Sequence, residues 1–241
     1  MDAPLKSTKQ QLTFLIATRN AHKVHEIQSI LEGPFRFLAL NYFPGAPSVV
    51  EDANTFSGNA TKKAVELARW LASGRVGFQE LPNYVLADDS GLEVDALHGA
   101  PGIHSARFAG LDSGGSPGNS PDSENNAKLL RLLQNVPPEK RTARFRCVIA
   151  LTPVSQAAPK SASPVCYVDE LEMRTELFNG VCEGRLSQTP AGQGGFGYDP
   201  LFIPTGHDCS FAELGEEVKN LISHRAQALA KLKARLSTLD P

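Results

Sequence analysis

Short apolar runs alternate with helical periodicities through the first half of the chain. Leu12-Thr-Phe-Leu-Ile-Ala17 is an apolar run ending at Thr18 and predicts a buried strand. Between residues 20 and 32, Val24, Ile27 and Leu31 recur at spacings of three and four, which predicts a helix that Pro34 stops. A second strand is expected over Phe35–Leu40, followed by a Pro/Gly loop. Thr55 is placed to cap a helix running to about Ala72, with Phe56, Ala60, Ala64, Leu67 and Leu71 on its apolar side. Tyr84-Val-Leu-Ala87 predicts another strand, ending at Asp88-Asp89. Strands alternating with helices argue for an α/β sheet.

The second half reads differently. A Gly/Ser/Pro-rich loop over Gly110–Pro121 leads into an expected helix near Ser123–Asn135. β-rich stretches at Thr142–Leu151 and Val165–Phe178 flank a polar Pro/Ala/Ser loop, which suggests an antiparallel hairpin able to form a second lobe. A last helix from about Ser223 to Leu236 sets Ala226, Leu229, Leu232 and Leu236 on one face. No internal repeat is visible. A single two-lobed unit over 1–241 is expected, with flexible ends at 1–11 and 237–241.

Composition narrows the function. With 241 residues, 41% of them hydrophobic, the chain can bury a sizeable core. A formal net charge of −2 makes broad electrostatic binding of nucleic acid a poor expectation, so any anion site must come from local cations. Cys147, Cys166, Cys182 and Cys209 lack metal-ligand or disulfide-framework spacing and read as reduced thiols. No apolar run approaches the roughly 18 residues of a membrane span, and the first residues lack a signal-peptide apolar region. The expectation is a soluble, cytoplasmic protein with no membrane partner.

Candidate chemistry begins at Asp88-Asp89. Ligands of open α/β sheets gather at the carboxyl ends of strands, and successive strand residues point oppositely. One acid can then serve a metal and the other the structure, since magnesium takes one or two carboxylates plus substrate phosphates. The segment reads equally as an Asx-type turn after a strand. Thr18-Arg-Asn-Ala-His-Lys23 joins the first strand to the first helix. Helix N-termini suit phosphate, whereas Arg19, His22 and Lys23 in the first turn oppose the dipole unless an anion sits among them. Ser223-His224-Arg225 repeats the mismatch at the last helix. Solvated surface side chains are the alternative at both places. Gly192–Pro200 holds four glycines in six residues around Phe196 and Tyr198. It reads as a turn whose aromatic plugs the core, or as a base-stacking loop. Lys62 and Lys63 lie on an amphipathic helix, and only a neighbouring phosphate would make one functional. His25, His98, His104 and His207 show no ligand spacing and are left structural.

Taken together, these segments resemble the Ham1-type inosine triphosphate pyrophosphatase family. The resemblance runs through Thr18-x-Asn20-x-x-Lys23, Thr55-Phe-x-x-Asn59-Ala60-x-x-Lys63-Ala64 and Ala87-Asp-Asp-Ser-Gly-Leu92. It continues with Gly99-Ala-Pro-Gly-Ile103, Ser105-Ala-Arg107, Gly194-Gly-Phe-Gly-Tyr-Asp-Pro200, and Lys219 followed by Ile222-Ser-His-Arg225. These motifs span residues 12 to 236 in order. The resemblance implies an elongated two-lobed α/β fold, a central mixed sheet flanked by helices, a nucleotide-binding cleft between lobes, and a homodimer. It implies magnesium-dependent hydrolysis of a purine nucleoside triphosphate to monophosphate and pyrophosphate. Asp89 is then general base and metal ligand, with Glu51 and Asp88 contributing to the metal site. Thr18, Asn20, Lys23 and Lys63 would hold phosphates, with Ser90 nearby. Phe196 would stack on the base within the Gly197-Tyr198-Asp199 segment, Asp199 would serve the nucleoside, and Lys219, His224 and Arg225 would contact the base. Gly58 stands where many members carry Glu, Ala226 stands where Gly is frequent, and the loops at 113–121 and 156–164 look long.

Arg225 has only donors, so it suits the O6 of hypoxanthine or xanthine and mismatches the amino group of adenine by roughly 1–3 kcal/mol. Guanine also offers O6, so this contact alone does not exclude it. Rival expectations are a pyrophosphatase for other modified nucleotides and a nucleotide sensor without turnover.

Overall fold

The computed structural model describes residues 11–74, 81–113, 118–155 and 170–238. Its strands are β1 (Thr13–Ile16), β2 (Arg36–Ala39), β3 (Tyr84–Val94), β4 (Thr142–Pro153), β5 (Glu176–Leu186) and β6 (Phe202–Pro204). Its helices are α1 (Ala21–Ile30), α2 (Phe56–Ala72), α3 (Asp122–Leu132), α4 (Glu170–Met173), α5 (Phe211–Ile222) and α6 (His224–Leu236). All six strands form one mixed sheet in the order β2-β1-β3-β4-β5-β6. β1 pairs parallel with β2 and β3, and the pairs from β3 to β6 are antiparallel.

Side-chain alternation along β3 and β4 assigns the layers. Val85 and Ala87 join Val148 and Ala150 under α2. Leu86 joins Ile149 and Leu151 on the opposite face, with Ile27 of α1 and Leu229 and Leu232 of α6. A third cluster covers the far ends of the long strands, where Leu92, Val94, Ala143 and Phe145 meet Leu129, Phe202 and Phe211. Burial on both faces is why β1 and the start of β3 read as continuous apolar runs. α2 is capped by Thr55, whose hydroxyl accepts from Gly58 N–H at 3.0 Å, as its sequence suggests.

Three expectations change. β3 does not end at Asp88-Asp89: it continues to Val94, and the pair lies mid-strand opposite Ile149 and Val148. Ser90-Gly91 resembles a turn, but Gly91 meets a packing demand. A Cβ there would lie 2.4 Å from Gly102 O and 2.5 Å from Ser105 Oγ, so only glycine admits the 3-10 segment Gly102–Arg107 against the strand. Next, the strand expected over Val165–Phe178 is displaced: Glu170–Met173 forms the one-turn α4, and β5 runs Glu176–Leu186. Glu-Leu-Glu-Met is a run of helix formers, and the β4 register aligns Phe178 with Ile149 and Cys182 with Phe145. The β4–β5 pair is antiparallel as expected and belongs to the same sheet as the other strands. Finally, β6 and α5 lie in a stretch left unassigned from the sequence. β6 has three residues, and α5 is broken at Gly215, where φ is +80°.

Residues 114–117 and 156–169 lie outside the described residues, and with them part of the 113–121 loop, all of the 156–164 loop, Cys166 and the start of the displaced strand. So do 1–10 and 239–241, the greater part of the expected flexible ends. Among the described residues no helix is long and apolar enough to cross a membrane.

Candidate active site

Because β3 is extended through the acidic pair, Asp88 and Asp89 point to opposite faces. Asp88 is fully buried on the α1/α6 face and surrounded by donors. Lys23 forms an ion pair with its Oδ1, Ser90 Oγ donates to Oδ1 at 2.9 Å, Arg225 Nε donates to Oδ2 at 3.0 Å, and Cys147 Sγ lies 3.2 Å from Oδ2. Burial pushes this carboxyl up, but Arg225 and then Lys23 outweigh it and hold it well below the usual range. Asp89, on the α2 face, meets a sparser environment. Its Oδ1 accepts from Lys63 Nζ at 3.1 Å, while its Oδ2 is buried with no hydrogen-bond partner. Burial raises its carboxyl to about 6 against the attraction of Lys63 and Lys23, and Glu51 adds repulsion. Lys63 Nζ also lies 3.3 Å from Glu51 Oε2 and donates to the Asp88 carbonyl at 2.8 Å, so it bridges both acids of this face.

The Asp88 cluster continues into a chain of buried alternating charges. Arg225 Nη1 pairs with Glu26, Glu26 Oε1 lies 2.7 Å from Lys219 Nζ, and Lys219 Nζ lies 2.6 Å from Asp199 Oδ2. Glu26 carries no motif signal. Its only trace in the sequence is an acid next to Ile27 on the buried side of α1. Burial pushes its carboxyl up, yet Arg225 and Lys219 hold it below its ordinary value. Asp199, by contrast, is raised by burial despite Lys219.

These pairs revise the argument from helix dipoles. Asn20 caps α1 by accepting from the N–H groups of His22 and Lys23, and Ser223 caps α6 by accepting from Ala226 N–H. The cation of Lys23 is answered by Asp88, and that of Arg225 by Asp88 and Glu26. His224 is neutral, since burial and then Arg225 and Lys219 push its pKa well below the ordinary value. Internal carboxylates on distant elements therefore satisfy what had looked like a demand for a bound anion.

A cavity of about 120 Å³ opens on the α1/α6 face. Asn20, Lys23, Ser90, Phe196, Gly197, Tyr198, Asp199, Lys219, His224 and Arg225 line it, so most of the expected substrate residues converge there. Thr18 and Lys63 do not reach it. Thr18 Oγ1 accepts from Asn20 N–H at 3.1 Å and shapes the turn into α1. The Phe196 ring is stacked on His22 at 5.4 Å, with Lys219 Nζ 4.3 Å from its centroid. The ring is thus held at the cavity and does not plug the core. His224 stacks on Phe145 at 4.7 Å, and its Nδ1 is buried without a partner. Tyr198 O–H donates to Ser105 O at 2.9 Å, tying the glycine-rich loop to the 3-10 segment.

Among the described residues, no three His, Cys, Asp or Glu side chains gather as a complete ligand set. The unpaired Asp89 oxygen, with Glu51 across the shared Lys63, instead fits a hard cation that takes its remaining ligands from water and phosphate. Asp88, expected beside them, faces away and has both oxygens engaged.

Residues 14–235 match the family model described as "Ham1 family". The chain is 45% identical over 224 residues to a dITP/XTP pyrophosphatase of Geobacter sulfurreducens, covering 92% of this chain and 96% of that protein. It is 43% identical over 229 residues to a dITP/XTP pyrophosphatase of Desulforamulus reducens, with coverages of 95% and 97%. Among solved structures, a HAM1 protein from Coxiella burnetii superposes with a TM-score of 0.72 at 34% identity, covering 95% of this chain and all of that one.

Proposed function

The chain belongs to the Ham1 family, and from that premise we propose that it hydrolyses non-standard purine nucleoside triphosphates, ITP, dITP and XTP, to monophosphate and pyrophosphate. The observation that carries this reading is the convergence of motif residues from the α1 turn, β3, the 194–200 loop and the α5–α6 junction on one cavity, with the half-satisfied Asp89 carboxylate behind it on β3. Relatives named dITP/XTP pyrophosphatase support it.

The base occupies the cavity against Phe196. His224 Nδ1 has no other partner. Arg225 gives its Nε, one Nη1 hydrogen and its Nη2 group to Asp88, Glu26 and Ser90, leaving one Nη1 hydrogen to offer. A donor suits O6 of hypoxanthine or xanthine and leaves adenine mismatched. We assign the metal to Asp89 and Glu51 and give Asp88 the task of holding Lys23 and Arg225. Magnesium, when bound, neutralises phosphate charge. Asp89 orients a water toward the α-phosphorus and takes its proton. The water oxygen bonds to the α-phosphorus as the α–β bridging bond breaks, and pyrophosphate leaves with the electron pair while Lys23 and Lys63 offset its charge. We also carry over a homodimer from the family resemblance, which gel filtration tests, and a cytoplasmic location from the sequence composition.

Purified protein with magnesium should convert ITP, dITP and XTP to monophosphate plus pyrophosphate, and GTP and ATP far more slowly. Formation of diphosphate and orthophosphate would overturn the reading. Turnover confined to modified pyrimidine or methylated nucleotides would favour the rival enzyme, and binding without turnover the sensor.

A further inference from the structure

The turn that presents Phe196 is soft by composition. Gly195 and Gly197 on either side of it have φ angles of +73° and +63°, conformations that glycine adopts freely and L side chains rarely do. Its order is imposed from outside. Phe196 N–H donates to Asp199 Oδ2 at 2.9 Å. Gly197 is held twice by α3: its N–H donates to Asp122 Oδ2 at 2.6 Å, and its carbonyl accepts from Asn126 Nδ2 at 2.9 Å. Those two groups belong to the peptides joining Gly197 to Phe196 and to Tyr198. The two bonds therefore set the backbone on both sides of Gly197, and with it the direction of the stacking ring. Asp122 is exposed, whereas Asn126 is buried and spends its amide on this one contact, its Oδ1 having no partner.

We propose that Asp122 and Asn126 are positioning residues for base recognition, a clamp by which α3 fixes one wall of the cavity and so influences which purine it accepts. The inference rests on the base-site reading above. Gly197 and Asp122 line the cavity, whereas Asn126 reaches it only through Gly197. A Gly197 carbonyl released from Asn126 is free to turn toward the cavity as an acceptor, and a donor it suits is the exocyclic 2-amino group of guanine. Intact, the clamp engages one lone pair of that carbonyl and fixes its direction. α3 stands about 70 residues from the loop it holds, which is why no local pattern announces the role.

The test compares Asp122→Ala, Asp122→Asn and Asn126→Ala with the unaltered protein, measuring kcat and KM for ITP and GTP alongside thermal unfolding. Loss of either bond should raise KM for ITP roughly tenfold while kcat stays within about twofold, as expected for a binding contact of this strength. Asp122→Asn retains an oxygen that accepts from Gly197 N–H and should return KM to within about threefold of the original. Asn126→Ala should also narrow the preference for ITP over GTP. An unchanged KM in the folded alanine variants, or a loss of kcat that merely follows a lowered melting temperature, would overturn the clamp. A preference unmoved in Asn126→Ala would overturn its part in selectivity. Absence of ITP turnover in the unaltered protein would overturn the functional reading, and the clamp with it.

Discussion

Replacing Asp89 by asparagine should stabilise the metal-free protein while abolishing turnover. The carboxyl titrates at about 6 when folded and at 3.8 as a free side chain, so at neutral pH the folded chain holds it ionised against its preference. At about 1.4 kcal/mol per pKa unit, the difference of roughly two units makes ionised Asp89 cost about 3 kcal/mol. The sign follows from the raised value. The contribution of Asp89 is fully favourable below pH 3.8 and is lost as pH rises through 6. Asparagine keeps the shape and removes the titration. Lys63 loses one of its partners in the variant, although Glu51 and the Asp88 carbonyl remain, so 3 kcal/mol is an upper figure. For a chain of this length that corresponds to roughly 6–12 °C in Tm. Urea unfolding in excess chelator, from pH 4 to 8, measures it. The two stability curves should nearly converge at pH 4, separate between about pH 4 and 6, and run parallel above that. A variant that is less stable at pH 7.5, or a gap constant with pH, would refute the account of Asp89 as a carboxylate held against desolvation. Added magnesium should raise the Tm of the unaltered protein more than that of the variant.

Glu26→Ala removes the shared partner of two buried cations and should cost about 3–5 kcal/mol in urea unfolding, with Glu26→Gln costing less. Gly91→Ala sets a methyl against Gly102 O and Ser105 Oγ. It should lower Tm and raise KM together, because the 3-10 segment it displaces also anchors Tyr198; an unchanged Tm would count against the packing argument. Half-buried Lys62 pairs with exposed Asp52, so Lys62→Ala should change ITP turnover by less than about twofold, whereas Lys63→Ala should lower kcat/KM at least about a hundredfold.

Apolar spacing alone located β1, α1, α2, the start of β3 and α6, because each buries a stripe whose period is visible without a partner. Thr55 was legible as a cap for a similarly local reason, since a hydroxyl and a nearby N–H decide it. The misreadings are as informative. Ser90-Gly91 has the composition of a turn, and the segment that demands a glycine there arrives only once the 3-10 helix is docked. α5 carries no continuous helical period because Gly215 kinks it, with φ at +80°. The site residues stood out through ordered motifs, but their division of labour did not. Two adjacent acids are chemically identical on paper, and a strand turns one toward Arg225 and Lys23 and the other toward Lys63.

The sequence by itself determined the alternating α/β pattern, the caps, the anion-suited residues and their order along the chain, all properties of neighbours within a few positions. The tertiary structure decided which charges meet. It answered the basic helix starts at Lys23 and Arg225 with Asp88 and Glu26, left one oxygen of Asp89 without a partner, and brought α3 to the loop that carries Phe196. Coulombic and desolvation energies depend on distances of a few ångströms between residues that lie up to about 200 positions apart, as Glu26 and Arg225 do, and spacing along a chain carries no such distance.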